Sequence, residues 1–110
     1  MAQVTLNVGG RAMPVRLAGD AGACYRPHLR VGPAGEYLGV QFVAGDPPVA
    51  APGTEGTATV ELLYAGYGVD YRPLAPGVTF DVLEGARVVG RGAVLRRAAG
   101  SAGGGQRTAG

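Results

Sequence analysis

Val78-Thr79-Phe80-Asp81-Val82-Leu83-Glu84-Gly85-Ala86-Arg87-Val88-Val89-Gly90-Arg91-Gly92-Ala93-Val94-Leu95 decides the fold of this chain. Two runs rich in β-branched and apolar residues flank a two-residue break at Gly85-Ala86. Glycine takes positive φ without a Cβ penalty, as the turns that match strand twist demand. A two-residue loop there places Glu84 opposite Arg87, Leu83 opposite Val88 and Val82 opposite Val89. An opposite-charge pair closing the loop, backed by apolar pairs, contributes roughly 0.2–1 kcal/mol per pair. The stretch is a β-hairpin, and the simplest register sets Arg91 beside Phe80, at a barrel mouth unless a bulge turns it outward.

Strand signals recur on either side of a series of turns. Val4, Leu6 and Val8 alternate with Thr5 and Asn7, the period of a half-buried strand. Met13, Val15 and Leu17 resume that alternation, but Pro14 removes a ladder donor and favours an extended loop or an edge strand. Tyr25 to Val31 forms a strand with Leu29 and Val31 on one face and Arg26, His28 and Arg30 on the other. Gly32-Pro33-Ala34-Gly35 turns the chain, and Leu38, Val40 and Phe42 begin the next strand. Residues 44–56, with Pro47, Pro48 and Pro52, read as a loop; 57–64 as a strand; 65–77 as a second long loop. No helical apolar period is present, so the expectation is an all-β domain of about six strands over residues 1–97. Residues 98–110 are a Gly/Ala-rich tail, expected to be disordered.

Composition narrows the function. A chain of 110 residues with 46% hydrophobic content supports one domain and one core. Twenty-one glycines and eight prolines speak for many turns. Every basic residue is arginine, and a net charge of +2 is too small to announce a nucleic-acid binder. Cys24 is the single cysteine, so no intrachain disulfide framework exists. No apolar run approaches the roughly 18 residues of a membrane-spanning helix, and no signal peptide is visible; the expected address is the cytoplasm.

Catalytic and cofactor patterns are missing. The only serine is Ser101, in the tail, and one His with one Cys cannot assemble a recurring His/Cys metal site. Without lysine there is no phosphate loop. Gly90-Arg91-Gly92 runs on into a strand rather than a helix, which argues for a tight backbone bend or a neighbour's close approach in a barrel instead of a dinucleotide site. No enzyme activity, cofactor, metal or nucleotide is expected. What stands out is a surface of arginines and tyrosines: Arg26 and Arg30 with His28 on one strand face, Arg87 and Arg91 on the hairpin, and Tyr64, Tyr67 and Tyr71 at or near the start of the second long loop, the fallback surface. Arginine binds carboxylate and phosphate bidentately and stacks on rings.

Glu84-Gly85-Ala86-Arg87-Val88-Val89-Gly90-Arg91-Gly92 resembles the closing hairpin of the C-terminal β-barrel (domain III) of bacterial elongation factor Tu. There a Glu-Gly-Gly-Arg turn leads into a Val-Gly-x-Gly strand. The likeness extends, in the family's order, through Gly9-Gly10-Arg11, Gly22 to Arg26-Pro27, Ala51-Pro52-Gly53 and Thr59-Val60-Glu61-Leu62-Leu63. It implies a small antiparallel Greek-key barrel standing without the GTPase domain. It also implies a non-catalytic binding module with candidate contact residues Arg26, His28, Arg30, Glu84, Gly85 and Arg87. The family's Glu-Gly pair at the T stem of tRNA corresponds to Glu84 and Gly85. His28 stands where the family has glutamine, and Gly32-Pro33-Ala34-Gly35 replaces a polar tRNA-side stretch. A protein partner is therefore the leading expectation, and a small RNA- or tRNA-binding accessory of translation the alternative.

Overall fold

The computed structural model describes residues 1–19 and 24–98. Apart from Ala98, the tail expectation lies outside those residues, as does most of the turn expected over 18–23. Eight strands form: β1 (Ala2–Asn7), β2 (Val15–Arg16), β3 (His28–Arg30), β4 (Leu38–Asp46), β5 (Val49–Ala50), β6 (Gly56–Leu62), β7 (Thr79–Glu84) and β8 (Arg87–Arg97). Six of them close an antiparallel barrel in the order β1-β6-β4-β3-β7-β8. β3, β4 and β6 follow one another as a meander, and β1 lies beside β6, which is a Greek key. The described residues contain no helix.

Alternation builds the core. Ala2, Val4, Leu6 and Val8 are buried while Gln3, Thr5 and Asn7 are not. Leu29, Val40, Phe42, Val60, Phe80, Val82 and Val94 meet them from the other strands. The two ends are plugged differently. β2 and β5 pair as a separate ribbon, so the Pro14 segment is strand only at Val15 and Arg16. Behind that ribbon Leu17 is fully buried. Its side chain lies 2.5 Å from where a Cβ on Gly56 would stand, and it also occupies the space a Cβ on Gly45 would need. At the other end the long loop after β6 turns inward: Tyr71 and Leu74 join the core, and Arg97 donates to both their carbonyls at 3.0 and 3.1 Å.

Several expectations need correction: the strand expected over 57–64 is Gly56–Leu62, and the loop expected over 44–56 holds the short β5. The strand beginning at Leu38 runs to Asp46, past the expected boundary at 44, because Ala44, Gly45 and Asp46 continue the ladder to Thr59, Ala58 and Thr57 beyond a bulge at Val43. The strand after Tyr25 is confined to His28–Arg30. In the hairpin, Glu84↔Arg87 and Leu83↔Val88 pair as expected, but Val82 pairs with Gly90, not Val89. Val89 is the additional residue of a β-bulge and is itself buried. A bulge shifts every later residue by one position. Arg91 therefore opposes Asp81 on the outside, and Gly92 opposes Phe80 in the core.

Gly90 and Gly92 have a steric reason. A Cβ at Gly90 would collide with the carbonyl oxygen of Asn7, and one at Gly92 with the carbonyl oxygen of Thr5 and the Phe80 ring. Both glycines let β1 approach β8 closely, as their sequence context suggested.

Candidate functional site

Two groups of candidate residues lie at different places on the barrel, and the structure uses them differently. At the hairpin tip, Glu84 Oε2 accepts a hydrogen bond from the Tyr25 hydroxyl at 2.6 Å and faces Arg11 Nε at 2.8 Å. The Arg11 guanidinium also lies over the Tyr25 ring, 5.3 Å from its centroid. Arg87 reaches across to donate to the Gly10 carbonyl at 2.8 Å. Gly85 takes φ +63°, the left-handed conformation its place in the turn required. Glu84 and Arg87 thus tie the loop after β1 and the Tyr25 segment onto the hairpin. Burial first, and Glu84 second, push the Tyr25 phenol well above its ordinary range.

His28 and Arg30 line the outer side of β3 and Arg26 lies just before it, where the chain adds aromatic neighbours. The His28 ring lies 5.7 Å from that of Tyr37. The Arg30 guanidinium sits 5.9 Å from the Tyr37 centroid. His28 pairs in the ladder with Gly39. A Cβ on Gly39 would stand 2.5 Å from the Tyr64 ring and 3.8 Å from His28 Cδ2, so Tyr64 covers Gly39 right beside His28. The Tyr71 hydroxyl fixes that corner: it donates to the Gly39 carbonyl at 2.6 Å and accepts from the Tyr64 amide at 3.2 Å. Tyr37 and Tyr64 remain 43% and 47% exposed, and Tyr67 next along the loop 83%.

Of the two arginines of this patch, Arg30 is matched by a carboxylate and Arg26 meets a neutral amide. Arg26 donates to Gln41 Oε1 at 2.7 Å. Arg30 meets Asp81 Oδ2 at 3.2 Å, and the other oxygen of Asp81 lies 3.4 Å from Arg91 Nε. On the backbone ladder Gln41 stands opposite Glu61 of β6. The surface is thus aromatic and hydrogen-bonding rather than strongly cationic.

Tyr37, Tyr64 and Asp81 were not among the candidate residues. Asp81 had a signal: it is the one carboxylate between the inward positions Phe80 and Val82, and so points outward. Tyr64 had only the tyrosine enrichment of its loop, because continued alternation would place it with Val60 and Leu62, whereas the strand ends at Leu62 and the chain turns out. Cys24 is half-buried. Among the described residues no cluster of three potential metal-ligating side chains occurs, and no helix is long and apolar enough to cross a membrane. No protein-family model matches the chain, and comparison with curated proteins finds no significant match.

Proposed function

We propose that this protein is a non-catalytic binding module that engages a protein partner through the outer face of β3 and the adjoining tyrosines. The observation that carries this reading is the cluster of exposed Tyr37 and Tyr64 with partly buried His28 and Arg30, Tyr64 being seated on Gly39 and tied through its amide to Tyr71. Tyrosine and arginine dominate the energetics of protein interfaces because they offer large contact area with a polar end. Rings already fixed in position lose little conformational freedom when a partner arrives. The resemblance to the C-terminal barrel of elongation factor Tu supports the same reading, since that barrel works as a contact domain, and a closed Greek-key barrel is the fold the resemblance implies. A cytoplasmic setting follows from the same reading.

RNA is the rival partner, and the charge pattern disfavours it. Arg30 is matched by Asp81, Arg11 by Glu84 and Arg72 by Asp70, and the whole chain carries a net charge of only +2. The test is affinity purification from native lysate, with and without ribonuclease, using wild type and a folded Arg26→Ala, Tyr37→Ala variant. The expected result is a ribonuclease-resistant partner lost from the variant. A partner released by ribonuclease, with binding that falls steeply with salt, would replace this reading by the RNA-binding accessory. Full retention by the variant would remove the β3 face.

A further inference from the structure

An open groove of about 690 Å³ crosses the outside of the barrel next to the aromatic cluster. Its floor follows from the ladder: Ala93 pairs with Thr5 on one side and Thr79 on the other, so a small side chain lies between two hydroxyl-bearing ones. Arg91, Asp81, Glu55 and Pro33 stand around that floor. The Val89 bulge creates the site, because it alone turns Arg91 from the core side to this face.

Arg91 is 84% exposed, and among the described residues its only ionic neighbour is Asp81 Oδ1, 3.4 Å from Nε. Among the described residues its two terminal nitrogens make no hydrogen bond or ion pair. An arginine so placed offers a bidentate site for a carboxylate. Asp81 also binds Arg30, the arginine beneath Tyr37, so this one carboxylate joins groove and aromatic cluster. Arg30, Asp81 and Arg91 occupy facing positions on three successive strands. Two strand spacings separate Arg30 from Arg91, about 10 Å, which an extended chain covers in about three residues.

The geometry points to an extended acidic peptide segment as the occupant of this groove: an apolar or aromatic anchor on Tyr37 and His28, and a carboxylate on Arg91 about three residues away. This rests on the reading of the β3 face as a protein-binding surface and adds the chemistry of what the partner presents. The Thr5 and Thr79 hydroxyls supply hydrogen bonds to the passing backbone, and Glu55 across the groove disfavours a second acidic residue.

A random peptide library panned on the full chain tests this. Selected peptides should carry Asp or Glu about three positions from a bulky apolar residue. Their binding should shift the amide signals of Thr5, Thr79 and Ala93 together with that of Tyr37. Arg91→Glu, at an exposed position that leaves folding intact, should weaken them by about tenfold or more, and panning on that variant should select a basic residue in place of the acid. Peptides that lose binding to Tyr37→Ala yet ignore Arg91→Glu would overturn the groove and leave the aromatic face standing. A library without binders would also overturn it, leaving that face to the lysate experiment. Groove signals that move with single-stranded poly-uridylate and with no peptide would overturn it in favour of nucleic acid.

Discussion

Glu84 and Tyr25, 59 positions apart in the chain, are joined by a 2.6 Å hydrogen bond from the phenol to the carboxylate. Arg11 completes the cluster against the same oxygen. The bond draws the strand-preceding segment onto the hairpin and closes that end of the barrel.

Removing either partner should therefore cost stability in a coupled way. Glu84→Ala is expected to destabilise by about 1–3 kcal/mol, since a hydrogen bond to a charged group is lost and the phenol is left half-buried. Tyr25→Phe should cost about 1 kcal/mol. The double variant should lose less than the sum, which denaturant midpoints will read as a positive coupling. Additive losses would show that the bond contributes nothing in solution.

The same pair sets a limit at alkaline pH. The folded Tyr25 phenol is raised above its unfolded value of about 10, so the folded chain keeps a proton that the unfolded chain releases. This contribution is fully present below pH ~10 and is lost as pH rises from there toward the folded value. Spectrophotometric titration should find one tyrosine that ionises last in wild type and earlier in Glu84→Ala.

Asp70 gives an acid-side prediction. Arg72 donates to both its carboxylate oxygens at 2.9 Å, and its amide adds a third bond at 2.9 Å. These bonds hold the Asp70 carboxyl at about 2. The pairing is complete above the ordinary carboxylate range and fails as pH falls through that value. Carbon-detected NMR titration should show the low value in wild type, and Arg72→Ala should return it toward about 4.

Two glycines separate strain from collision. Gly85→Val meets open space but keeps a left-handed φ, which costs roughly 1 kcal/mol or more. Gly92→Ala meets the Thr5 carbonyl and the Phe80 ring, and overpacking of that kind costs about 1–3 kcal/mol. Gly92→Ala should therefore lower the unfolding midpoint at least as far as Gly85→Val, despite adding fewer atoms.

The end plugs are the last test. Leu74→Ala removes a fully buried side chain and should cost about 2–5 kcal/mol. A variant indistinguishable from wild type in thermal melts would mean that the loop holding Leu74 does not close the barrel.

Local patterning determined a good part of this molecule. Period-two alternation placed Val4, Leu6 and Val8 inside, and the Gly85-Ala86 break located the hairpin and its first two pairs. Both follow from short-range physics: side chains alternate along a strand, and a two-residue loop imposes its register. The close approach at Gly90 and Gly92 was also legible, because glycine inside a strand has few other uses.

The tertiary structure decided what lies beyond those rules. The Val89 bulge left no mark in the hydrophobic pattern, yet it turned Arg91 outward to Asp81 and put Gly92 against Phe80. That choice belongs to β1, whose Asn7 and Thr5 carbonyls need bare backbone at alternate positions of β8. The aromatic cluster was decided likewise: Tyr64 lies over Gly39 because the Tyr71 hydroxyl, folded back from a long loop, bonds the backbone of both. Contacts between residues far apart in sequence depend on how the whole barrel closes, and no local window contains that information.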